Sequence, residues 1–289
     1  MKNLVLLAVF LLSYTLTFAQ EKQKDTTYWA KDGKVTFLFN QSAFSNWVAG
    51  GESTIAGNLG VNYSFNYKKD KVLWNNRIVA SYGLTNSKNS EFTKKTDDIL
   101  ELNSLVGIKA KGYWSYSFLL NFKTQFAKGY DYGKDVNGKE TRTEYSNFMS
   151  PGYLLLGPGM LWEKNPNFKF NLAPLMSKFV FVDKNFTLPN DAYFGVQEGE
   201  SMRYELGFSA AAYAKFNIME NVSMENILAL YSNYLEDPQN IDLDYTMNLV
   251  MSINKYLSAN LIFQTIYDDN AYRGFQIREV FGIGINYNW

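Results

Sequence analysis

Residues 241–254 read Ile-Asp-Leu-Asp-Tyr-Thr-Met-Asn-Leu-Val-Met-Ser-Ile-Asn. Ile241, Leu243, Tyr245, Met247, Leu249, Met251 and Ile253 share one side of a two-residue period. Asp242, Asp244, Thr246, Asn248, Val250, Ser252 and Asn254 share the other. Side chains alternate across a strand, so this stretch is a ribbon with one oily face and one wet face. Ile55 to Tyr67 repeats the pattern, with Ile55, Leu59, Val61, Tyr63, Phe65 and Tyr67 against Asn58, Asn62, Ser64 and Asn66. Tyr204 to Ile218 does so again, with Glu205, Ser209, Lys215 and Asn217 on the polar side. No helical period interrupts the series, and the reading is all-β.

Working outward, the alternation predicts strands over 34–41, 53–67, 71–85, 97–110, 114–127, 148–162, 168–182, 202–218, 222–233, 241–253, 257–267 and 276–289. Many exceed the usual strand length of soluble proteins and fit a tilted bilayer crossing. The connections sort by parity. Those at Lys68–Asp70, Lys111–Tyr113, Glu163–Asn167, Met219–Asn221 and Asn254–Tyr256 are tight, whereas those starting at Ser42, Asn86, Gly129, Asp183, Tyr234 and Asp268 are longer. Outer-membrane barrels divide their rims in this way. The oily faces carry Phe, Tyr, Leu and Met, the polar faces Gly, Ser and Asn. Turned outward, the bulky faces meet lipid, and closure leaves no unpaired edge in hydrocarbon. The expected fold is a single antiparallel transmembrane β-barrel of about 12 strands, of the outer-membrane type.

Aromatic residues gather near strand ends, as membrane interfaces favour. Trp74, Trp114, Trp162, Phe168, Phe216, Tyr256 and Trp289 lie near the tight turns, and Tyr82, Phe126, Tyr231 and Tyr267 near the longer loops. At the C-terminus Phe281, Ile283, Ile285, Tyr287 and Trp289 alternate with Gly282, Gly284, Asn286 and Asn288, in the manner of a terminal β-signal read by barrel-assembly machinery. Pro158 and Pro174 interrupt two predicted strands, where each removes a ladder hydrogen bond, so bulges or breaks are expected there.

The first residues read as an address. Lys2 and Asn3 precede the apolar run Leu4–Leu12, and Thr17 and Ala19 supply small residues for cleavage after Ala19. That run falls short of the ~20 residues of a spanning helix. Residues 1–19 are thus expected to be a signal peptide, 20–33 a short periplasmic segment, and 34–289 the barrel. Both termini are then periplasmic and the protein resides in the outer membrane.

Composition narrows the chemistry. The 289 residues include 28 Lys plus Arg, 28 Asp plus Glu, no Cys and no His. Balanced charge argues against nucleic acid as a partner. Without Cys there are no disulfides or thiolate metal sites. Without His the commonest general base is missing, so Ser–His and related hydrolytic mechanisms are closed. Asp97/Asp98, Asp242/Asp244 and Asp268/Asp269 could in principle form acid–base pairs, but they read as solvated loop acids and, for Asp242 and Asp244, as lumen charge. The acidic loops lack the spacing of a calcium loop. No enzyme activity, cofactor or metal is expected.

Phe44-Ser45-Asn46-Trp47 leading to Gly50-Gly51-Glu52, Thr96-Asp97-Asp98, and Leu120-Asn121-Phe122-Lys123-Thr124-Gln125-Phe126 resemble the domain of unknown function 3078 family. So do Ser232-Asn233-Tyr234 with Asp237-Pro238-Gln239-Asn240-Ile241-Asp242, Ile253 to Asn260, and Tyr267-Asp268-Asp269. The resemblance implies an outer-membrane or cell-envelope protein of Bacteroidota, and it implies no activity.

Candidate functional positions follow from the wet faces. Arg77, Glu101, Lys109, Lys123, Glu205, Lys215, Asp242 and Asp244 are expected to line the lumen, together with Lys169, Glu225 and Arg278. Neither sign is in clear excess, which fits either a ladder of ion pairs plugging the barrel or a channel for small polar solutes. Phe44, Trp47, Gly50 and Gly51 mark the first loop as a rim fold, a constriction or a contact surface. Two functions follow, the first as the leading expectation and the second as its alternative. One is a porin-like channel; the other is a closed structural or accessory barrel that docks an envelope protein through its loops or periplasmic end. Outer-membrane lipid and the barrel-assembly machinery are expected partners of either.

Overall fold

A computed structural model describes residues 28–45, 52–187 and 193–289. The expected signal peptide and most of the expected N-terminal segment lie outside the described residues, as do Trp47, Gly50 and Gly51 of the first loop. Fourteen strands form: β1 (Trp29–Ser42), β2 (Thr54–Lys69), β3 (Val72–Ser87), β4 (Lys94–Lys109), β5 (Trp114–Thr124), β6 (Gly129–Lys134), β7 (Glu140–Ser146), β8 (Gly152–Asn165), β9 (Phe168–Phe181), β10 (Met202–Met219), β11 (Val222–Asn233), β12 (Ile241–Ser252), β13 (Leu257–Asp268) and β14 (Tyr272–Asn288). Twelve of them close into one antiparallel barrel in the order β1-β14-β13-β12-β11-β10-β9-β8-β5-β4-β3-β2, while β6 and β7 pair separately. Closure runs through Lys34↔Asn288 to Phe39↔Ile283. The chain ends at this seam: Gly33 and Trp289 exchange both backbone hydrogen bonds, at 3.1 and 3.0 Å.

The expected strands agree with the wall segments, with four instructive differences. First, β1 begins at Trp29, five residues before the expected Lys34, because Trp29–Gly33 continue the ladder onto Tyr67–Tyr63 of β2. Second, the 129–147 region, expected to be open loop, forms the β6–β7 hairpin. Its turn is built by Asp135, whose carboxylate accepts the amides of Asn137 and Lys139 at 2.8 and 2.9 Å, and by Gly138 at φ 81°. Third, the β13–β14 connection is short, which breaks the expected parity of long loops on that rim. The ladder continues through a bulge, from Tyr267↔Phe275 to Asp268↔Tyr272. Fourth, Tyr231 does not join the outer aromatic belt. It points inward and is 6% exposed.

The tight turns use residues that tolerate the left-handed conformation, Gly112 (φ 61°) and Asn221 (φ 64°) among them. The outer face is apolar and open. Phe281, Ile283, Ile285 and Tyr287 are all more than half exposed, and Phe37, Phe39, Leu59 and Phe118 continue that surface around the wall. Such a surface is unfavourable in water and suits hydrocarbon. Near the tight-turn rim aromatic rings contact one another around the wall: Trp29 with Trp74 (5.7 Å), Tyr63 with Trp289 (6.2 Å), and Trp162 with Phe170 (5.2 Å).

The proline expectation holds for β9 at Pro174; at Pro158 only the ladder to β9 breaks, while that to β5 runs on through Phe118↔Pro158. Between Leu172 and Met176, β9 carries one residue more than either neighbour: Leu156↔Ser177 gives way to Met160↔Leu172 on β8, and Gly207↔Met176 to Ser209↔Ala173 on β10. Gly157 and Gly159 make room for this bulge, since a Cβ at either would run into the Leu175 or Leu172 carbonyl. An extra residue reverses which face each later side chain takes.

Candidate functional site

That reversal shapes the lumen. Along β9 Lys169, Asn171 and Ala173 face inward; past the bulge the inward residues become Met176, Lys178 and Val180. Counting by twos from Lys169 would have pointed Lys178 at lipid. Instead its ammonium lies 3.0 Å from Asp242 and 3.4 Å from Glu205, with the Tyr231 ring centre 4.8 Å away. The same wall brings Ala173, Met176 and Tyr231 together, with Leu119 and Leu155 packed against them. A small apolar core therefore fills part of the barrel interior, beside buried charge. Opposite it the wall is small and polar: Asn58, Gly83, Ser258, Asn260 and Gly284.

The inward charges occupy three levels. Near the longer loops, Glu205 is 2% exposed and is held by both Lys178 and Arg203, at 3.4 and 3.2 Å. Arg203 also reaches Glu236 at 2.8 Å and donates to Asn270 at 2.7 Å. On the facing side Arg278 meets Asp97 at 2.6 Å, and Asn58 donates to the same carboxylate at 2.7 Å. Asp97 and Asp98 are thus not solvated loop acids. Asp98 accepts the amides of Phe126 and Ala127 and pairs with Lys95 at 2.8 Å, which pins the β4 end to the chain leaving β5.

At mid-height Lys123 and Asp244 pair at 2.8 Å, and Gln264 donates to Asp244 at 2.9 Å. Among the described residues Glu101 takes no cation; the Asn103 and Asn121 amides donate to it, both at 2.8 Å. Near the tight turns Arg77 lies 3.6 Å from Glu225 and donates to Asn62 at 3.0 Å. Tyr213 and Asn248 complete the Glu225 shell at 2.9 Å each. Lys215 stands directly across the ladder from Glu225, and Lys169 from Tyr213.

Of the eight residues expected to line the lumen, Arg77, Lys123, Glu205, Asp242 and Asp244 enter ion pairs within it. Glu101 is held by amides, Lys215 is exposed near the tight turns, and Lys109 lies exposed at the end of β4. Lys178, Arg203 and Asp97 were missed. The sequence signal for Lys178 is Pro174, whose bulge inverts the parity of the β9 residues after it. Phe44 sits at the loop rim, with its amide donating to the Ser53 hydroxyl at 2.9 Å. Asp242, Asp268 and Asp269 bring carboxylate oxygens within 4.8 Å of one another. Asp242 is already committed to Lys178, and Asp268 to the Asn270 and Ala271 amides.

Outside the wall, the β6–β7 hairpin docks on residues 90–94. The Arg142 guanidinium lies 4.9 Å from the Phe92 ring centre and 4.4 Å from that of Tyr130. Glu140 accepts from the Ser90 hydroxyl and the Glu91 amide, contacts that hold its carboxyl below the usual range. Glu144 is held low mainly by the Lys128 ammonium. Burial pushes the Tyr193 phenol up to about 12, and its hydroxyl donates to the Tyr145 carbonyl.

Comparison with known proteins gives a family match over part of the chain and several solved structures of low similarity. Residues 39–130 match the family described as protein of unknown function (DUF3078), in line with the resemblance read from the motifs. No curated protein matches the chain. Among solved structures, the translocator domain of the autotransporter NalP from Neisseria meningitidis is 8% identical and has a TM-score of 0.40, covering 99% of this chain and 95% of that one. An outer membrane channel from Pseudomonas putida F1 is 9% identical with a TM-score of 0.39, covering 92% and 99%. The β domain of the Bordetella autotransporter BrkA is 9% identical with a TM-score of 0.35, covering 90% and 99%.

Proposed function

We propose that the protein resides in the outer membrane as a barrel closed at rest, acting as a structural or accessory element of the cell envelope. One observation carries this reading: ion pairs join strands from distant parts of the ring. Arg77 on β3 and Glu225 on β11 stand diametrically opposite in the strand order, yet their charged groups are 3.6 Å apart. Lys123 to Asp244 links β5 to β12, and Arg278 to Asp97 links β14 to β4. Side chains that meet across a lumen obstruct it, and the apolar cluster around Met176 occupies more of the section.

In this reading residues 1–19 direct export, both termini lie in the periplasm, and the outward C-terminal ladder Phe281–Trp289 is what the assembly machinery takes hold of. An envelope protein would dock at the loops or the periplasmic end. The channel reading keeps one support: the mid-level pair is about 30% accessible, Lys123 at 28% and Asp244 at 30%, so water reaches it. Single-channel conductance of the folded barrel in a planar bilayer separates the two. Silence from the wild type, with unitary steps after Arg77→Ala plus Lys123→Ala, is the expected result. Steady wild-type steps whose ion selectivity changes in Asp244→Lys would establish the channel instead.

A further inference from the structure

The wall is least complete at its seam. β1 pairs with β2 along its whole length, from Trp29↔Tyr67 to Ser42↔Thr54, but with β14 only from Lys34↔Asn288 to Phe39↔Ile283. Beyond Ile283, β14 runs on to Tyr272 paired with β13 alone. There the Asn40 amide donates to the Phe281 carbonyl at 3.5 Å. On the outer side of the seam lies a groove of about 590 Å³, lined by Phe37, Phe39, Gln41, Phe281, Ile283 and Ile285 among others. Next to it, two residues beyond Phe281 on the same outward face, stands Glu279. Its ladder partner is Phe263, and its outward neighbours Ile277 and Phe281 are both more than half exposed. The Tyr267–Phe275 ring pair (5.3 Å) lies four residues toward the longer loops, and the Tyr287–Trp289 pair (5.8 Å) eight residues toward the tight turns. Glu279 is therefore inside the apolar band, nearer its longer-loop side. Asp98, outward on β4 beside Tyr82, has the Lys95 ammonium and two backbone amides. Glu279 has neither a cation nor a hydrogen bond among the described residues.

We propose that this seam groove binds a lipid whose headgroup carries a free amine, with its acyl chain on Phe37, Phe39, Phe281 and Ile283 and its ammonium against Glu279. A carboxylate that faces hydrocarbon is costly, and it persists where a counter-charge meets it. The barrel supplies none: among the described residues, no Lys or Arg faces outward on the wall between the two levels of aromatic rings. A second copy of the chain would lie at the same depth in the same orientation, so it brings the same cation-free wall. Lipid is what an outward groove meets first, and an amine headgroup brings a mobile ammonium to a fixed acid. Gln41, exposed in the groove, adds an amide donor for ester or phosphate oxygens. Glu279 lies about 10 Å below the Tyr267–Phe275 level, at the rise and tilt of a barrel strand. Thinning of the leaflet around a charge and extension of the carboxyl toward the interface close that distance. The inference rests on the membrane residence proposed above, and it holds whether the lumen is open or shut.

Native mass spectrometry of the folded mature barrel in neutral detergent tests the proposal. Phosphatidylethanolamine, phosphatidylcholine and phosphatidylglycerol with matched chains are added in equal amounts. Retention of one phosphatidylethanolamine per chain is expected, about tenfold over the other two, as a charge-assisted contact gives. Glu279→Gln should bring that lipid down to the level of phosphatidylcholine, and Phe281→Ala should reduce retention of all three. Equal retention of the three lipids by the wild type overturns the proposal, as does a preference that survives Glu279→Gln. Met247 lies on the same ladder two strands away, through Phe263. If Glu279→Gln with Met247→Glu keeps the full preference, any outward carboxylate suffices and the groove is not the site. Retention of phosphatidylglycerol alone, and only with Ca²⁺ present, would replace the amine by a metal bridge and also overturn it. Heat-modifiable migration on gels after insertion into vesicles verifies folding of each variant. A wild type that never inserts would sink membrane residence itself, whereas an inserted barrel without lipid preference sinks only the groove.

Discussion

The two ends of the lumen are built from the same residue types and solve opposite problems. At the longer-loop end, Lys178, Arg203, Glu205 and Asp242 are mutually satisfied and mostly buried, so the charges act as structure. At the tight-turn end, Lys34, Lys169 and Lys215 are partly open and lack a carboxylate within pairing distance among the described residues. Burial is tolerable for charge when each group has a partner, whereas a group open to water can do without one. A charge total alone would not separate these two situations.

The sharpest way to break the contrast is to remove one lysine from each end. Lys178→Met leaves Asp242 without its cation and Glu205 with Arg203 alone, in a poorly solvated site, and should lower stability by about 3 kcal/mol. Lys215→Met, at an exposed position, should shift it by less than about 0.5 kcal/mol. Urea unfolding of the barrel in lipid vesicles, followed by tryptophan fluorescence, measures both. Equal costs would mean that the ends are not energetically distinct.

A second experiment asks whether the bulge creates the satisfied end. Gly157→Ala drives a Cβ against the Leu175 carbonyl, and overpacking of this kind costs about 1–3 kcal/mol. Unfolding at unchanged midpoint would show that the bulge has room to spare. Between the two ends, the Lys123–Asp244 pair should give a coupling of about 1 kcal/mol in a double-mutant cycle, modest because both groups are reached by water. Additive single variants would reduce this pair to a coincidence of geometry.

The smallest effect lies outside the wall. Glu140 and Glu144 titrate below their ordinary value of 4.5, so hairpin docking through Glu140 and the hairpin base through Glu144 both gain above that pH. That gain disappears as pH falls through their lowered values, because protonation removes the acceptors for Ser90, Glu91 and Lys128. Pepsin cleavage near the exposed Val136 should increase on going well below pH 4.5. A cleavage rate independent of pH would leave docking to the Arg142 ring contacts alone.

Much of this was legible in the sequence. The alternation from Ile241 to Asn254 appears in the structure as β12 with Asp242 and Asp244 inward, and β11, expected over 222–233, runs Val222–Asn233. The C-terminal ladder has its apolar side outward, as read. Period-two patterns are local properties of a chain, and a membrane enforces them strictly because every outward position meets hydrocarbon. The hairpin at 129–146 escaped because its strands are only six and seven residues long and their one apolar repeat is Tyr130 and Tyr132, too short to stand out among Gly and charged neighbours. Lys178 escaped because one bulge at Pro174 inverts the parity of everything after it.

The sequence by itself determined an all-β chain, its strand boundaries within a few residues, and which side of most strands is wet. Tertiary structure alone decided which wet residues meet. Arg77 and Glu225 are joined by closure of the ring, Arg278 and Asp97 likewise, and no local pattern encodes those encounters. The physical reason is that strand faces follow from neighbours in the chain, whereas contacts across a lumen follow from strand order, register shifts and closure, which accumulate over the whole barrel.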